Sequence, residues 1–334
     1  MLEDLLLRRP YNAAADLVDA NVARGLGRKL AFVDPERSLT YGQLQSRTLR
    51  FASALKSLGL RQEDRLLLLL PDCVDYPVAF WGAVRAGVAV PLNTFLASET
   101  YAYILADSRA SAVVAAAPLA GKLLPLLDRA PALRKVILAA ADASDKARFP
   151  RHEVHAFEDL LARAPDEALT APTLSDEVAF WMYTSGSTGD PKGVKHIHTT
   201  PIAAARLMGR QVIGIREDDV VFSAAKLFFS YGMGNAMAFP MSVGATAILM
   251  PQRATPEAVF EVMRTHRPTI FYGVPTLYAS MLADNVMGPG AGSDRLRLCV
   301  SAGEALPAAL GERWHARAGI HVLDGIGSTE MFQT

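Results

Sequence analysis

The sequence has few cysteines, no excess of charge of either sign and no long apolar run. Its two cysteines, Cys73 and Cys299, lie far apart without metal-ligand spacing, which favours buried thiols over a disulfide framework or zinc site. The 34 basic and 34 acidic residues cancel, so the charge balance predicts neither a nucleic-acid partner nor electrostatic adhesion to a membrane. The most apolar stretch, residues 66–70, suits a buried strand and is far too short to span a bilayer.

The N-terminal segment also lacks the pattern of a targeting signal. MLEDLLLRRPYN begins with the acidic pair Glu3 and Asp4 and has no sustained apolar core, unlike a secretory signal peptide. By elimination, the expected location is the cytoplasm.

Short apolar runs alternate with segments of helical spacing, which indicates parallel βα units. The predicted strands are residues 65–70, 88–92, 112–117, 135–139, 178–183, 220–224, 245–250, 269–274, 296–301 and 320–323. The predicted helices are residues 40–58, 75–86, 97–107, 122–129, 157–164, 200–210, 255–267, 275–284 and 307–318. The alternation weakens between residues 140 and 173. We therefore predict an α/β fold of two layered αβα subdomains with mostly parallel sheets, residues 1–172 and 173–334.

The segment YTSGSTGDPKG, residues 183–193, concentrates hydroxyls, glycines and one lysine directly after an apolar run. Glycines let the backbone approach a ligand closely, and successive exposed N–H groups form an anion-binding concavity. Lys192 adds a point charge suited to phosphate. The spacing differs from the Walker A pattern. A solvated turn is the alternative, but the hydroxyls and the lysine after a buried strand favour a phosphate-binding loop that leaves the carboxyl end of a strand.

Four ordered motifs resemble the adenylate-forming enzymes, which include acyl-CoA synthetases, peptide-synthetase adenylation domains and beetle luciferases. They are TSGSTGDPKG, AKLFFSYGMGN at residues 225–235, SAGEALP at residues 301–307 and DGIGSTE at residues 324–330. The segments VVFSAAKLFFSYG, FYGVPTLYA and LDGIGSTEM are most similar to the sequences of benzoate-CoA ligases. The resemblance implies the two-subdomain fold of this family's N-terminal domain.

The resemblance also implies roles for the matching residues. Thr184, Lys192 and Glu330 would be catalytic: the loop and Lys192 would hold the β- and γ-phosphates of ATP, while Thr184 and Glu330 would hold Mg²⁺. Asp324 would accept a hydrogen bond from the adenine amino group, and Ile326 would cover one adenine face. The implied ATP-binding residues are Thr184, Ser185, Gly186, Ser187, Thr188, Gly189, Lys192, Gly303, Glu304, Ala305, Asp324, Gly325, Ile326, Gly327, Ser328 and Thr329.

Aromatic residues and glycines at residues 228–234 suggest a flat slot for a small aromatic acid, although core packing is the commoner fate of such side chains. The residues implied to border the acid are Ala225, Phe229, Tyr231, Gly232, Ala302, Gly327 and Gln333. Benzoate-type relatives carry histidine where this chain has Gln333. Because a carboxamide both donates and accepts, we hypothesise a substituted benzoate such as anthranilate.

The implied reaction joins a small aromatic carboxylic acid to coenzyme A through an acyl-adenylate, with ATP and Mg²⁺. An enzyme that loads a carrier-protein thiol and a non-catalytic adenylate-binding fragment remain alternatives, and a homodimer is left open. Family members continue into a C-terminal domain that carries a catalytic lysine, a hinge and a ribose-binding aspartate. The resemblance therefore implies an N-terminal part, which by itself is expected to bind nucleotide weakly and turn over poorly.

His196 and His198, in KHIH, form an HxH pair. They have no apparent third ligand, so a structural role is favoured over a metal site.

Overall fold

The computed structural model describes residues 10–165, 170–184, 189–284 and 287–333. The strands among them are β1 Leu30–Val33, β2 Ser38–Thr40, β3 Arg65–Leu69, β4 Val88–Pro91, β5 Ala112–Ala116, β6 Lys135–Ala139, β7 Glu153–Ala156, β8 Val178–Thr184, β9 Lys192–Ile197, β10 Val220–Ser223, β11 Thr246–Ile248, β12 Ile270–Gly273, β13 Leu298–Ser301 and β14 Val322–Asp324. They form two seven-stranded, mostly parallel sheets, which confirms the predicted α/β fold class.

The helices flank these strands in the expected alternation. The α-helices are α1 Tyr41–Ser57, α2 Asp75–Ala86, α3 Ser98–Ser108, α4 Ala117–Ala120, α5 Ala143–Ala147, α6 Phe157–Arg163, α7 Thr200–Ala204, α8 Ser230–Met233, α9 Phe239–Val243, α10 Pro256–His266, α11 Pro275–Ala283 and α12 Ala308–Ala318. The π-helical segments are Ala15–Asp19, Val22–Leu26, Ala205–Arg210 and Gly234–Ala238, and the 3₁₀ segments are Leu124–Arg129 and Pro289–Gly292. No helix among the described residues is both long and apolar enough to cross a membrane.

The first compact unit contains residues 42–71 and 75–200 and the N-terminal segment that ends at Ala20. Its sheet has the order β7-β6-β5-β3-β4-β8-β9. Neighbouring strands pair in parallel except β8 and β9, which are antiparallel. Strands β3, β4 and β5 are almost entirely buried, as expected for parallel strands covered on both faces.

The second compact unit contains residues 21–41, 72–74 and 201–334. Its sheet has the order β14-β13-β12-β10-β11-β1-β2, with β2 antiparallel to β1 and the other pairs parallel. A core that includes Phe222, Phe271, Tyr278 and Trp314 packs on this sheet. The predicted proline-initiated helix α10 is capped by Thr255, whose Oγ accepts the Ala258 N–H at 3.3 Å, as the cap rule requires.

The predicted division at residues 172 and 173 needs correction. Strands β8 and β9 belong to the sheet of the first unit, whereas β1 and β2 belong to the sheet of the second. Phe32 of β1 pairs with Ala247 of β11, far along the chain. Periodicity identifies strands but not their partners, so it gave no basis for these assignments.

Four strands were not predicted: β1, β2, β7 and β9. Three of them, β2, β7 and β9, are edge strands, and the exposed or half-buried residues of β7 give no continuous apolar run. The helix predicted at residues 122–129 is instead a 3₁₀ segment that begins at Leu124, with Pro125 in its first turn. Edge strands and proline-initiated turns carry weak hydrophobic patterns, which accounts for these errors except at β1, an internal strand.

Candidate functional site

The Gly-rich motif lies on the hairpin of β8 and β9 in the first unit. Thr184, the last residue of β8, pairs with Lys192, the first residue of β9. The predicted phosphate ligands Ser185, Gly186, Ser187 and Thr188 lie outside the described residues. Gly189 follows with a φ of 150°, and a Cβ at this residue would meet no atom of the described residues within 4 Å. The hairpin thus presents a hydroxyl from one strand and the exposed Lys192 ammonium directly across from it.

The histidines of β9 and the residue that follows it have structural surroundings. The His196 ring stacks on Phe180 with centroids 4.8 Å apart. His198 Nδ1 accepts the Ala13 N–H at 3.2 Å, and burial lowers the pKa of His198 to about 4. No group of three or more metal-ligating side chains occurs among the described residues. The contacts therefore agree with the structural interpretation of the HxH pair.

In the second unit, a cavity of about 280 Å³ opens at the carboxyl ends of parallel strands; we call it the strand-end cavity. Its lining residues are Ala225, Phe229, Ser230, Tyr231, Val274, Ala302, Gly303, Gly327, Ser328, Thr329 and Gln333. They follow β10, β12, β13 and β14, the location where open α/β sheets place ligands. A second cavity of about 440 Å³ shares Ala225, Phe229 and Val274 with it.

Two aromatic rings form much of the apolar wall. Tyr231 directs its hydroxyl into the sheet, where the Gly273 and Val300 carbonyl oxygens, each 3.2 Å away, share its single O–H hydrogen. Burial raises the pKa of Tyr231 well above its usual range, so the phenol is neutral. Phe229 is 48% exposed and meets Phe228 edge-on at 4.7 Å. Both residues therefore offer the strand-end cavity a ring face or edge.

Gly232 differs from its predicted role. Among the described residues, the cavity lining includes its neighbour Tyr231 but not Gly232. A Cβ at residue 232 would lie 2.1 Å from the Lys226 carbonyl oxygen and 2.5 Å from that of Ala225. The glycine lets α8 approach the preceding loop and so shapes the wall without bordering the cavity.

That loop is supported from behind by a buried lysine and a buried aspartate. Lys226 Nζ donates to the carbonyl oxygens of Met250 and Gln252. Asp72 accepts the Leu227 N–H at 3.1 Å. Burial raises the pKa of Asp72 to about 6, although the Lys226 charge opposes the shift; burial lowers the pKa of Lys226. These contacts fix the segment that carries Ala225 and Phe229.

The last described residues close the strand-end cavity. Phe332 is buried with a φ of 67°, and its N–H donates to the Thr329 carbonyl at 3.0 Å. This turn places Gln333, 4% exposed, in the lining. Gln333 Nε2 donates to the Tyr231 carbonyl at 3.3 Å and to Asn235 Oδ1 at 3.2 Å.

The predicted adenine-side residues lie on two loops that one hydrogen bond connects. Asp324 Oδ2 accepts the Leu306 N–H at 3.0 Å, which ties the loop after β13 to β14. Glu304 and Ala305 on that loop are exposed. The exposed fraction of Ile326 reaches 91%, so its apolar side chain is available to cover a flat ligand. The other predicted residues on these loops are Gly303, Gly325, Gly327, Ser328 and Thr329, of which all but Gly325 line the strand-end cavity.

The predicted Mg²⁺ ligands have suitable donor chemistry. Thr184 provides a hydroxyl oxygen in the first unit and Glu330 a carboxylate in the second. Proteins commonly hold Mg²⁺ through one or two carboxylates together with substrate phosphates. Each of the two side chains therefore offers an oxygen donor of the kind that Mg²⁺ prefers.

Sequence reasoning missed several residues that form or support the cavity: Asp72, Lys226, Ser230, Asn235 and Val274. Val274 is the last residue of the predicted strand 269–274 and directly follows β12 in the structure, so its strand-end position was a usable signal. The partners of Asp72 and Asn235 are set by tertiary packing, for which a single sequence carries no local signal.

Comparison with known proteins identifies the family. Residues 19–332 match the AMP-binding enzyme family. The chain is 49% identical over 328 residues to a 4-hydroxybenzoate-CoA/benzoate-CoA ligase of Rhodopseudomonas palustris, an alignment that covers 97% of this chain and 58% of the relative. The chain therefore spans less than two thirds of that relative's length.

Two solved structures resemble this fold. A benzoate-CoA ligase from Burkholderia xenovorans LB400 superimposes with a TM-score of 0.87 at 44% identity, covering 97% of this chain and 62% of that one. The anthranilate-CoA ligase AuaEII in complex with anthranoyl-AMP gives 0.92 at 34% identity, covering 100% and 62%. On the match over residues 19–332, the chain belongs to the AMP-binding enzyme family.

Proposed function

We propose that this protein activates a benzoate-type acid with ATP and transfers the acyl group to coenzyme A. The observation that carries the proposal is the strand-end cavity of about 280 Å³, walled by Phe229 and Tyr231, in a member of the AMP-binding family. This volume lies just below the usual range of ligand pockets, about 300–1,000 Å³, which suits a single ring better than a long acyl chain.

Two displacements make up the proposed reaction. A carboxylate oxygen of the acid attacks the α-phosphorus of ATP; a P–O bond forms and the bond to pyrophosphate breaks. The coenzyme A sulfur then attacks the acyl carbon, forming a C–S bond as AMP leaves, and the thiol proton is released. Bringing two bound reactants together supplies a large part of the rate enhancement, so this reaction requires no side-chain nucleophile.

The chain's own residues would position the reactants and neutralise charge. Thr184, Gly189 and Lys192 of the β8–β9 hairpin would bind the phosphates that depart as pyrophosphate. Bound Mg²⁺ would offset negative charge on the phosphates, held by Thr184 and Glu330. Asp324 and Ile326 would bind adenine by hydrogen bonding and apolar contact.

Aryl-CoA formation tests this proposal. The purified protein is incubated with ATP, Mg²⁺ and coenzyme A plus benzoate, hydroxybenzoates, anthranilate or octanoate, and the thioester is measured by chromatography. We expect thioester with at least one aromatic acid, dependent on ATP, and little with octanoate. Transfer to a carrier-protein thiol but not to coenzyme A would contradict the proposed acceptor, and a preference for octanoate would contradict the aromatic substrate.

A further inference from the structure

The contacts of Gln333 determine how its carboxamide is oriented. Its Nε2 lies 3.3 Å from the Tyr231 carbonyl oxygen and 3.2 Å from Asn235 Oδ1. A backbone carbonyl only accepts hydrogen bonds, so the NH₂ end of the amide must face Tyr231. The carbonyl oxygen Oε1 is therefore the other end of a side chain that lines the strand-end cavity.

Asn235 supplies the second acceptor for this carboxamide. It is 1% exposed, and its Oδ1 lies 3.2 Å from Gln333 Nε2. The contribution of Asn235 is the acceptor oxygen that it offers to Gln333.

Gly234 provides the space for the same carboxamide. A Cβ at residue 234 would lie 1.8 Å from Gln333 Nε2 and 2.7 Å from Gln333 Cδ. Its φ of −60° and ψ of −52° are ordinary helical values that any residue adopts. The absent side chain is therefore explained by the close approach of Gln333 and not by backbone conformation.

We propose that Asn235 and Gly234 are positioning residues that turn Gln333 Oε1 toward the bound acid. The strand-end cavity then selects a benzoate whose ring carries a hydrogen-bond donor, a hydroxyl or an amino group, over one whose substituent cannot donate. This inference rests on the proposed function and specifies its substrate class.

Matched acids and variants test the inference. The kcat/KM of each hydroxy- and aminobenzoate is divided by that of the fluorobenzoate substituted at the same ring position. One hydrogen bond predicts a ratio of about tenfold at the position that reaches Gln333. Gly234→Ala should displace the carboxamide and bring the ratio close to one, as should Gln333→Met. Asn235→Leu should also lower it.

Gly288→Ala is the matched control, since a Cβ at residue 288 would meet no atom within 4 Å in the part of the chain that the structure describes, and its φ of −106° suits alanine. This variant should keep the wild-type ratio.

Equal kcat/KM for donor and fluoro acids at every ring position, or an unchanged ratio in folded Gly234→Ala, would overturn the inference while leaving aryl activation intact. If Gly234→Ala does not fold, Gln333→Met decides. Failure of every aromatic acid would instead refute the proposed function.

Discussion

Two lysines of this chain differ in burial, and the difference gives one a possible ligand-binding role and the other a structural role. Lys192 stands exposed at the start of β9, opposite Thr184. Lys226 is 8% exposed, and its ammonium already donates to two backbone carbonyls. The first charge is available to a phosphate ligand, whereas the second organises the loop that carries the cavity wall. The residue type alone does not distinguish these roles.

The β8–β9 hairpin and the strand-end cavity also differ in how the sequence encodes them. The hairpin motif is contiguous, so its glycines, hydroxyls and lysine can be read together. The cavity lining instead extends from Ala225 to Gln333 and is assembled by four strand ends. Variants that affect one region without the other therefore test the comparison directly.

Removing the hairpin charge should have the largest effect. Lys192→Ala takes away the ammonium proposed to bind the phosphates, and loss of such a group typically costs about 100-fold in rate. We expect acid-dependent pyrophosphate release to fall by about that factor, while the preference among aromatic acids stays unchanged. Lys195→Ala is the control, because Lys195 lies over Trp181 at 5.4 Å and should keep near-wild-type activity. A changed acid preference in Lys192→Ala would break the separation of the two regions.

Removing the buried lysine should instead destabilise the protein. Lys226→Met removes the ammonium that donates to the Met250 and Gln252 carbonyls and the positive charge that lowers the pKa of Asp72, and loss of a hydrogen bond from a charged group costs about 1.5–3 kcal/mol. The expected loss in the free energy of unfolding, measured with urea, is about 3 kcal/mol. The double variant Lys226→Met with Asp72→Asn should lose less, since no charge is left unbalanced. Equal losses in the single and double variants would argue against the charge interaction.

Asp72 should make stability depend on pH in a defined direction. Its pKa of about 6 in the folded protein lies above the ordinary 3.8, so the folded state binds the proton more tightly. Its contribution to stability is fully present below pH 4 and is lost as the pH rises through 6. Relative to Asp72→Asn, the wild-type free energy of unfolding should fall by on the order of 3 kcal/mol between pH 4 and 7. Denaturation of both proteins at several pH values tests this, and a constant difference would contradict it.

Tyr231→Phe should have the smallest effect and sharpen the description of the cavity wall. It removes the hydroxyl contacts to Gly273 and Val300 but keeps the ring, so stability should fall by about 1 kcal/mol. The KM for the aromatic acid should stay within about twofold of wild type. Tyr278→Phe, which loses a contact to the same Val300 carbonyl, is the comparison for stability. A large rise in KM would show that the hydroxyl contacts the acid.

Features encoded by contiguous residues could be predicted from the sequence, whereas contacts between distant segments could not. The parallel fold and most strands and helices were predictable because buried strands such as Arg65–Leu69 are continuous apolar runs. Six predicted acid-bordering residues do line the strand-end cavity, among them Phe229 and Gln333. The pairing of β1 with β11 and the Asn235–Gln333 contact were not predictable. Both join segments that are distant in sequence, and no local propensity or spacing specifies such partners.

The most direct test of the account is acid-dependent exchange of labelled pyrophosphate into ATP. This half-reaction tests the proposed phosphate role of the hairpin and the proposed acid-binding role of the strand-end cavity, and it needs no thiol. We predict exchange with ATP, Mg²⁺ and a benzoate-type acid, little without the acid, and a loss of about 100-fold in Lys192→Ala. Exchange that octanoate supports as well as any aromatic acid, or that persists fully in Lys192→Ala, would contradict the account.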